Sequence, residues 1–470
     1  MYNTIGMEAG QSSTDVPLCP GCVERDRRIA QLEKRIDQLE KRLEELTRGG
    51  KRQAAPFSRG RPKSDPMRPG RKSGEEYGTK ARRAIPPVID EIHEVPLPEH
   101  CPDCGGRRFV DRRVDHQYQV EIPRRPIYRR FDIHIGRCAC CGRRLQGRHP
   151  LQTSDALGCC VSQVGPEAQA AVVMLNKDLG LSQGKISRFF QGFFGIQLSR
   201  GGSCQIMLRA ANRCEPAYQA IVQRVRQGPW IVGDETGWRI GGHNAWLHTA
   251  VGEQTVAYLI ARERGFAVAG RLIGEDYAGK LIHDGYASYD RFWRATHQTC
   301  LGHLLRRCKE LLETARAGAV VFPRKVKSLL RESLRMRDLR DGRRITSAEA
   351  VAGADQLRMR MMSLARPTKT HPANERLARH LYRHGDQLFS FLRWRGIDAT
   401  NWRAEQAIRP AVVNRKVWGG NRTANGAAAQ SILMSVLFTA TKLRCDAMRF
   451  ISRLLCSPPA HRPLLLPDTG

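Results

Sequence analysis

The stretch Trp230-Ile-Val-Gly-Asp234-Glu-Thr-Gly-Trp-Arg-Ile240 begins apolar, carries an acid at its middle and runs into Gly241-Gly242. Two more apolar runs follow after short turns, Ala245-Trp-Leu-His-Thr-Ala-Val251 and Val256-Ala-Tyr-Leu-Ile260. Short β-rich runs separated by brief turn signals predict a three-stranded meander. A fourth run, Gly279-Lys-Leu-Ile-His-Asp284, ends in an acid directly before Gly285. Farther on, Gln298-Thr-Cys300-Leu-Gly-His303 leads into a helix. One acid therefore lies in the first strand and another at the end of the fourth.

That placement is the ribonuclease-H-like arrangement, in which these two strands are neighbours and their acids can bridge metal ions. A third acid must come from a later helix. Asn401-Trp-Arg-Ala-Glu405-Gln-Ala-Ile-Arg409-Pro410 is the best source, because Asn401, Glu405 and Arg409 recur every four residues and share a helix face. Two divalent ions about 3.5–4 Å apart can activate an attacking oxygen and stabilise a leaving one in an in-line displacement at phosphorus. Carboxylates favour Mg²⁺ or Mn²⁺, which prefer hard oxygen ligands. Taken singly, Asp284 also reads as a turn residue and Glu405 as a solvated helix charge. Their order and contexts join them into the expected set Asp234, Asp284 and Glu405.

The chain has 470 residues, with 78 Lys+Arg against 46 Asp+Glu and a net charge of +32. Length alone predicts several domains. An excess of that size calls for a polyanionic partner, DNA first, because each neutralised phosphate releases condensed counterions. Residues 1–20 contain no apolar signal segment, and Ser431 to Ala440 is too short to span a bilayer. The 15 cysteines without such a signal read as reduced thiols and metal ligands. The expected location is the bacterial cytoplasm, at the nucleoid, with no membrane partner.

Toward the N-terminus, Cys19-Pro-Gly-Cys22 precedes heptads with Ile29, Ile36 and Leu43 at a, and Leu32, Leu39 and Leu46 at d. Ile at a with Leu at d favours two parallel strands, and Arg28 and Arg35 at g face Glu33 and Glu40 at e. A homodimeric coiled coil over 23–47 is expected; the alternative is one amphipathic helix packed on its own chain. Residues 48–84 form a basic flexible linker, in which Arg59-Gly60-Arg61-Pro62 has the form of a minor-groove hook. Cys101-Pro-Asp-Cys104-Gly and Cys138-Ala-Cys-Cys141-Gly make two knuckles suited to one structural Zn²⁺. Cys140 rivals Cys141 as a ligand. The run Tyr128 to Ile135 alternates as strands of a zinc-ribbon-like module would. Leu181 to Phe190 has the texture of a helix-turn-helix, with Lys185 and Arg188 as DNA contacts, or else of a helical spacer.

The runs around Asp234, Asp284, Cys300–His303 and Asn401–Pro410, with Arg415-Lys416 beyond, resemble those of insertion sequence 66 transposases. The coil, linker, Cys-rich module and helical region resemble that family too. The resemblance implies a DDE mechanism, in which water cuts at the element's end and the freed 3′-hydroxyl attacks target DNA. It also implies small accessory proteins as partners, with Asp234, Asp284 and Glu405 as the triad. Trp402 departs from the family pattern, where a second Asn is common. Arg409, Arg415 and Lys416 read as phosphate contacts. His303 and Asn401 are supporting residues; His303 lies either near the scissile phosphate or in a structural pair with Cys300.

The expected architecture is multidomain α/β. It comprises a tail (1–22), coiled coil (23–47), linker (48–84), zinc module (85–150) and helical DNA-binding region (151–228). A ribonuclease-H-like core in two parts (229–304 and 399–445) flanks a helical insertion (305–398), and a tail (446–470) follows. Two other readings stay open: a related nuclease that cuts without joining, and a zinc-containing DNA-binding regulator.

Overall fold

The computed structural model describes residues 85–108, 114–157, 163–366 and 368–457, with scattered positions between 28 and 39. Cys19, Cys22, Arg59, Arg61, Glu33, Ile36, Glu40, Leu43 and Leu46 lie outside the described residues. The chain divides into two units, Met1–Ile122 and Pro123–Gly470. In the first, Arg28, Ile29, Gln31, Leu32, Arg35, Gln38 and Leu39 are helical, and the heptad residues Ile29, Leu32 and Leu39 are exposed. The first cysteine knuckle also lies in this unit.

The second unit opens with a short antiparallel pair, β1 (Ile135–Arg137) and β2 (Arg144–Gln146), around the second knuckle. Of the alternating run Tyr128 to Ile135, only Ile135 lies in a strand, as the first residue of β1. Tyr128 and Ile135 are 82% and 49% exposed, and no residue of the run is fully buried, so alternation there has little core to face. Three helices follow: α1 (Pro166–Lys177), α2 (Gln183–Phe194) and α3 (Arg200–Arg226). Ser199 caps α3 by accepting the Gly202 N–H at 2.9 Å. The helix runs on to Arg226, because Ala210, Ala211, Cys214, Ile221 and Val225 extend its buried stripe.

The mixed sheet has the order β5-β4-β3-β6-β7. The meander is β3 (Trp230–Ile240), β4 (His243–Val251) and β5 (Val256–Ala261). The first hairpin turns at Gly241-Gly242, with φ of 59° and 84°, as a two-residue primed turn requires. After α4 (Phe266–Ile273), β6 (Lys280–His283) pairs parallel to β3, and β7 (Thr296–Thr299) pairs parallel to β6. The strand period divides the core. Ile231, Ala250, Leu259 and Leu281 enter one cluster, with α1–α4; Val232, Val251, Tyr258 and Ile282 enter another. That second cluster is completed by α5 (Leu301–Thr314), α6 (Val321–Asp341), α7 (Ser347–Ala365), α8 (Pro372–Arg383), α9 (Ser390–Arg393) and α10 (Trp402–Trp418). With both faces covered, the strands read as nearly continuous apolar runs.

The helix α11 (Ala424–Lys442) closes the edge at β5; α12 (Ala447–Cys456) follows it. Ser431, Ser435 and Thr439 accept the Ile260, Tyr258 and Val256 N–H groups at 2.9, 2.8 and 3.0 Å. Four helical residues rise about 6 Å, close to two strand residues, so the hydroxyls match alternate donors. Ser435→Ala should therefore strand a buried N–H and cost about 1–3 kcal/mol. Thr441→Ala, whose hydroxyl bonds only its own helix at Leu437 O, should cost far less. Equal denaturant midpoints for the two variants would show that the edge bonds contribute nothing.

Candidate active site

Strand register brings the first two acids together. Val232 lies opposite Ile282 in the parallel β3–β6 pair. Asp234 and Asp284 stand two residues farther along, with the parity that faces α5 and α10. Glu405 stands in the first turn of α10. Burial pushes the Asp234 carboxyl from its ordinary 3.8 up to about 8, aided by the charges of Asp284, Glu235 and Glu405. Asp284 and Glu405 thus both act electrostatically on Asp234. As they stand, no three His, Cys, Asp or Glu side chains among the described residues converge tightly enough to hold a metal ion.

Asp234 and Asp284 are each anchored by a neighbouring backbone N–H. Asp234 Oδ1 accepts the Glu235 N–H at 2.9 Å, and Asp284 Oδ1 accepts the Tyr286 N–H at 2.8 Å. His303, in the first turn of α5, lies with Nε2 3.7 Å from Glu405 Oε1. Asn401 is fully buried at the start of α10, and neither amide atom has a partner among the described residues. Its backbone N–H donates to Cys300 Sγ at 3.3 Å. Arg415 donates to Thr236 Oγ1 at 3.3 Å, while Arg409 and Lys416 are exposed. On α2, Ile186 and Phe190 are buried, and Lys185 and Arg188 face outward.

Several site residues escaped the sequence reading. Glu235 turns to the opposite face of β3, where its carboxylate is 2% exposed. Burial raises its pKa, and two partners oppose that rise. Arg264 donates to Oε1 at 2.9 Å and the Tyr289 hydroxyl to Oε2 at 2.9 Å. Arg264 is itself held between the Trp246 and Tyr286 rings, 4.5 and 3.8 Å from their centroids. Tyr289 stacks on His283 at 4.9 Å.

His283 is wired in turn. The Gly285 N–H donates to its Nδ1 at 3.0 Å, its Nε2 lies 3.0 Å from His297 Nδ1, and His297 Nε2 lies 2.9 Å from Phe292 O. Only neutral rings with both protons on Nε2 satisfy every contact. Burial, then mutual repulsion, holds His283 well below the usual histidine value. Gly285, at φ 87°, lets the chain leave Asp284 under His380: a Cβ there would lie 2.9 Å from His380 Cε1. The dipeptides His283-Asp284 and Asp284-Gly285 were visible in sequence, but their distant partners carry no local signal.

The two knuckles share one geometry. Cys101 N–H donates to Gly106 O at 2.8 Å and Gly105 N–H to Cys101 O at 2.9 Å. Cys138 and Gly142 repeat this with Arg143 O and Cys138 O, both at 2.9 Å. Backbone N–H groups of Cys104 and Asp103 hold the Cys101 thiol below its ordinary value, and those of Cys141 and Cys140 do the same for Cys138.

The family model described as Transposase IS66 family matches residues 161–429, which span α1 through the start of α11 and contain all three acids. The chain belongs to that family. A comparison with curated proteins finds no match. Among the described residues of this transposase, no helix is long and apolar enough to cross a membrane.

The Asp234 pKa gives a signed prediction for the transposase. The folded carboxyl binds its proton more tightly than the unfolded chain does. Stability is thus present at low pH and lost as pH rises from the ordinary 3.8 toward about 8. Without divalent cations, the melting temperature of Asp234→Asn should exceed that of wild type by a margin that widens across this interval. A margin constant with pH would mean that Asp234 titrates as an ordinary surface acid.

Proposed function

We propose that this transposase cuts and joins DNA by a DDE mechanism on a ribonuclease-H-like core, with Asp234, Asp284 and Glu405 as its triad. The observation that supports the reading is the register of parallel β3 and β6, which sets Asp234 and Asp284 two residues past the Val232–Ile282 pair, with Glu405 acting on Asp234 from the first turn of α10. The sheet order and the mixed strand directions support the ribonuclease-H-like assignment.

The donors suit divalent cations. Carboxylate oxygens are the ligands Mg²⁺ and Mn²⁺ prefer, and the like-charge crowding that raises Asp234 is what a cation offsets. When bound, such ions lower the pKa of an attacking water and polarise the phosphoryl oxygens. The chain's own residues do the rest. The Glu235–Arg264–Tyr289 network fixes β3 behind Asp234, and the His283–His297 pair fixes the turn that carries Asp284. His303 lies beside Glu405 and orients it. Arg409, Arg415 and Lys416 hold DNA phosphates along α10. Lys185 and Arg188 on α2 contact DNA at the element's ends, and Arg59 and Arg61 add minor-groove contact.

Glu405→Gln should abolish Mg²⁺-dependent cleavage and strand transfer into a plasmid while DNA affinity stays within about twofold, since one neutral substitution removes no phosphate contact. Retained strand transfer would remove Glu405 from the triad. Cleavage without joining by the wild type would favour the nuclease reading instead.

The knuckles serve a second proposal: Cys101, Cys104, Cys138 and Cys141 bind one structural Zn²⁺. Their matching backbone geometry and lowered first thiols support it. The protein should carry about one zinc per chain, a full set of four thiolate ligands. Cys101→Ser combined with Cys138→Ser should lose it, and unchanged zinc in that variant would end the proposal. The exposed heptad residues support a homodimer through the coil.

A further inference from the structure

The helical insertion brings a cationic pair to the active-site rim. His303 and Arg307 lie four residues apart on α5, and Arg376 and His380 four apart on α8, so each pair shares a helix face. His303 reaches toward Glu405, and His380 packs against Gly285 beside Asp284. His303 and His380 thus adjoin the acids from two different helices, and Arg307 and Arg376 lie one turn away on the same helix faces. Between them, Arg307 and Arg376 come within electrostatic reach of each other, and Arg307 also acts on His380.

Most neighbouring cations are already engaged. On α8, Arg379 pairs with Glu375 at 3.3 Å and Arg383 with Asp290 at 2.6 Å. On α5, Lys309 pairs with Glu313 at 3.6 Å. Arg307 and Arg376 make no hydrogen bond or ion pair among the described residues; Glu310, one turn from Arg307, is the acid that acts on it. Arg307 is half-buried and held below an arginine's ordinary value, by burial first and the Arg376 charge second. The mutual repulsion of Arg307 and Arg376 opposes folding of the protein alone. A phosphate between two such forks would satisfy both charges.

We propose that Arg307 and Arg376 together bind one DNA backbone phosphate beside the triad, fixing the strand's register over the catalytic acids. The proposal rests on the transposase reading for the position of the DNA, but its test does not require catalysis. It assigns the insertion a part in substrate binding that neither helix could provide alone.

The test uses full-length protein and a fluorescent DNA duplex, titrated over a range of salt without divalent cations. For Arg307→Gln combined with Arg376→Gln, the slope of log affinity against log salt should become shallower by about one, with binding roughly tenfold weaker. The melting temperature should equal or exceed that of wild type, because a like-charge pair is gone. The paired lysine variants should keep the wild-type slope. A charge-matched control, Arg358→Gln with Arg360→Gln, removes arginines already paired with Asp386 and Glu332 and should leave the slope unchanged. A slope and affinity equal to the control's would overturn the proposal. So would a fall in melting temperature in the double glutamine variant, which would make the pair structural. If the wild type neither cuts nor joins DNA, the triad reading fails while these binding slopes still judge the pair.

Discussion

Carboxylates set into a sheet that is covered on both faces are the constraint from which the rest of the site follows. An ionised acid in that setting must be paired, or it keeps its proton. Glu235 and Asp234, adjacent in β3, show both outcomes. Glu235 is paired, with Arg264 on one oxygen and Tyr289 on the other. Asp234 has only the Glu235 N–H and the repulsion of its neighbours, and it is pushed up to about 8. The acid left unpaired is the one aimed at Asp284 and Glu405. This asymmetry is informative because a purely structural acid would be expected to find a cation, and Arg264 shows that one is within reach of the strand.

The same constraint explains the histidines. Rings buried beside acids could be charged partners, but His283 and His297 are wired as neutral groups, each proton assigned by the next acceptor. They stiffen the segment from β6 to β7 without adding charge. Replacing them by apolar rings would leave the Gly285 N–H without its acceptor, so polarity is retained for the hydrogen bond alone.

The core was readable where its signals were local. The strand runs, the Gly241-Gly242 turn and the acid before Gly285 all depend on adjacent residues, and β3 through β6 lie where those signals put them. The reading weakened where long-range partners decide. Arg264, Tyr289 and His380 join the site from separate elements, and no spacing announces them. It failed at Tyr128 to Ile135, where alternation without a packing surface mimicked a strand. His303 could be placed on a helix from sequence, but only the fold puts it beside Glu405.

The insertion between the second and third acids is part of the sheet's closure. The β7 edge exposes backbone and side-chain groups that water or another strand would otherwise take. Residues from the end of the insertion occupy them: Ser390 Oγ donates to His297 O at 2.6 Å, and Gln298 Oε1 accepts the Phe391 N–H at 2.9 Å. Gln298 also donates to Leu388 O at 3.1 Å, and Thr299 to Gln387 Oε1 at 3.1 Å. At the far edge, α11 does the equivalent for β5 with Ser431, Ser435 and Thr439, all beyond the last residue of the family match. Both edges are thus closed by side-chain hydrogen bonds from helical segments. The segment that seals β7 follows directly from α8, which carries His380 to Gly285. Closing the sheet and shaping the rim of the acid cluster are therefore one structural act, and the insertion cannot be trimmed as an appendage without opening the strand that leads to α5 and His303.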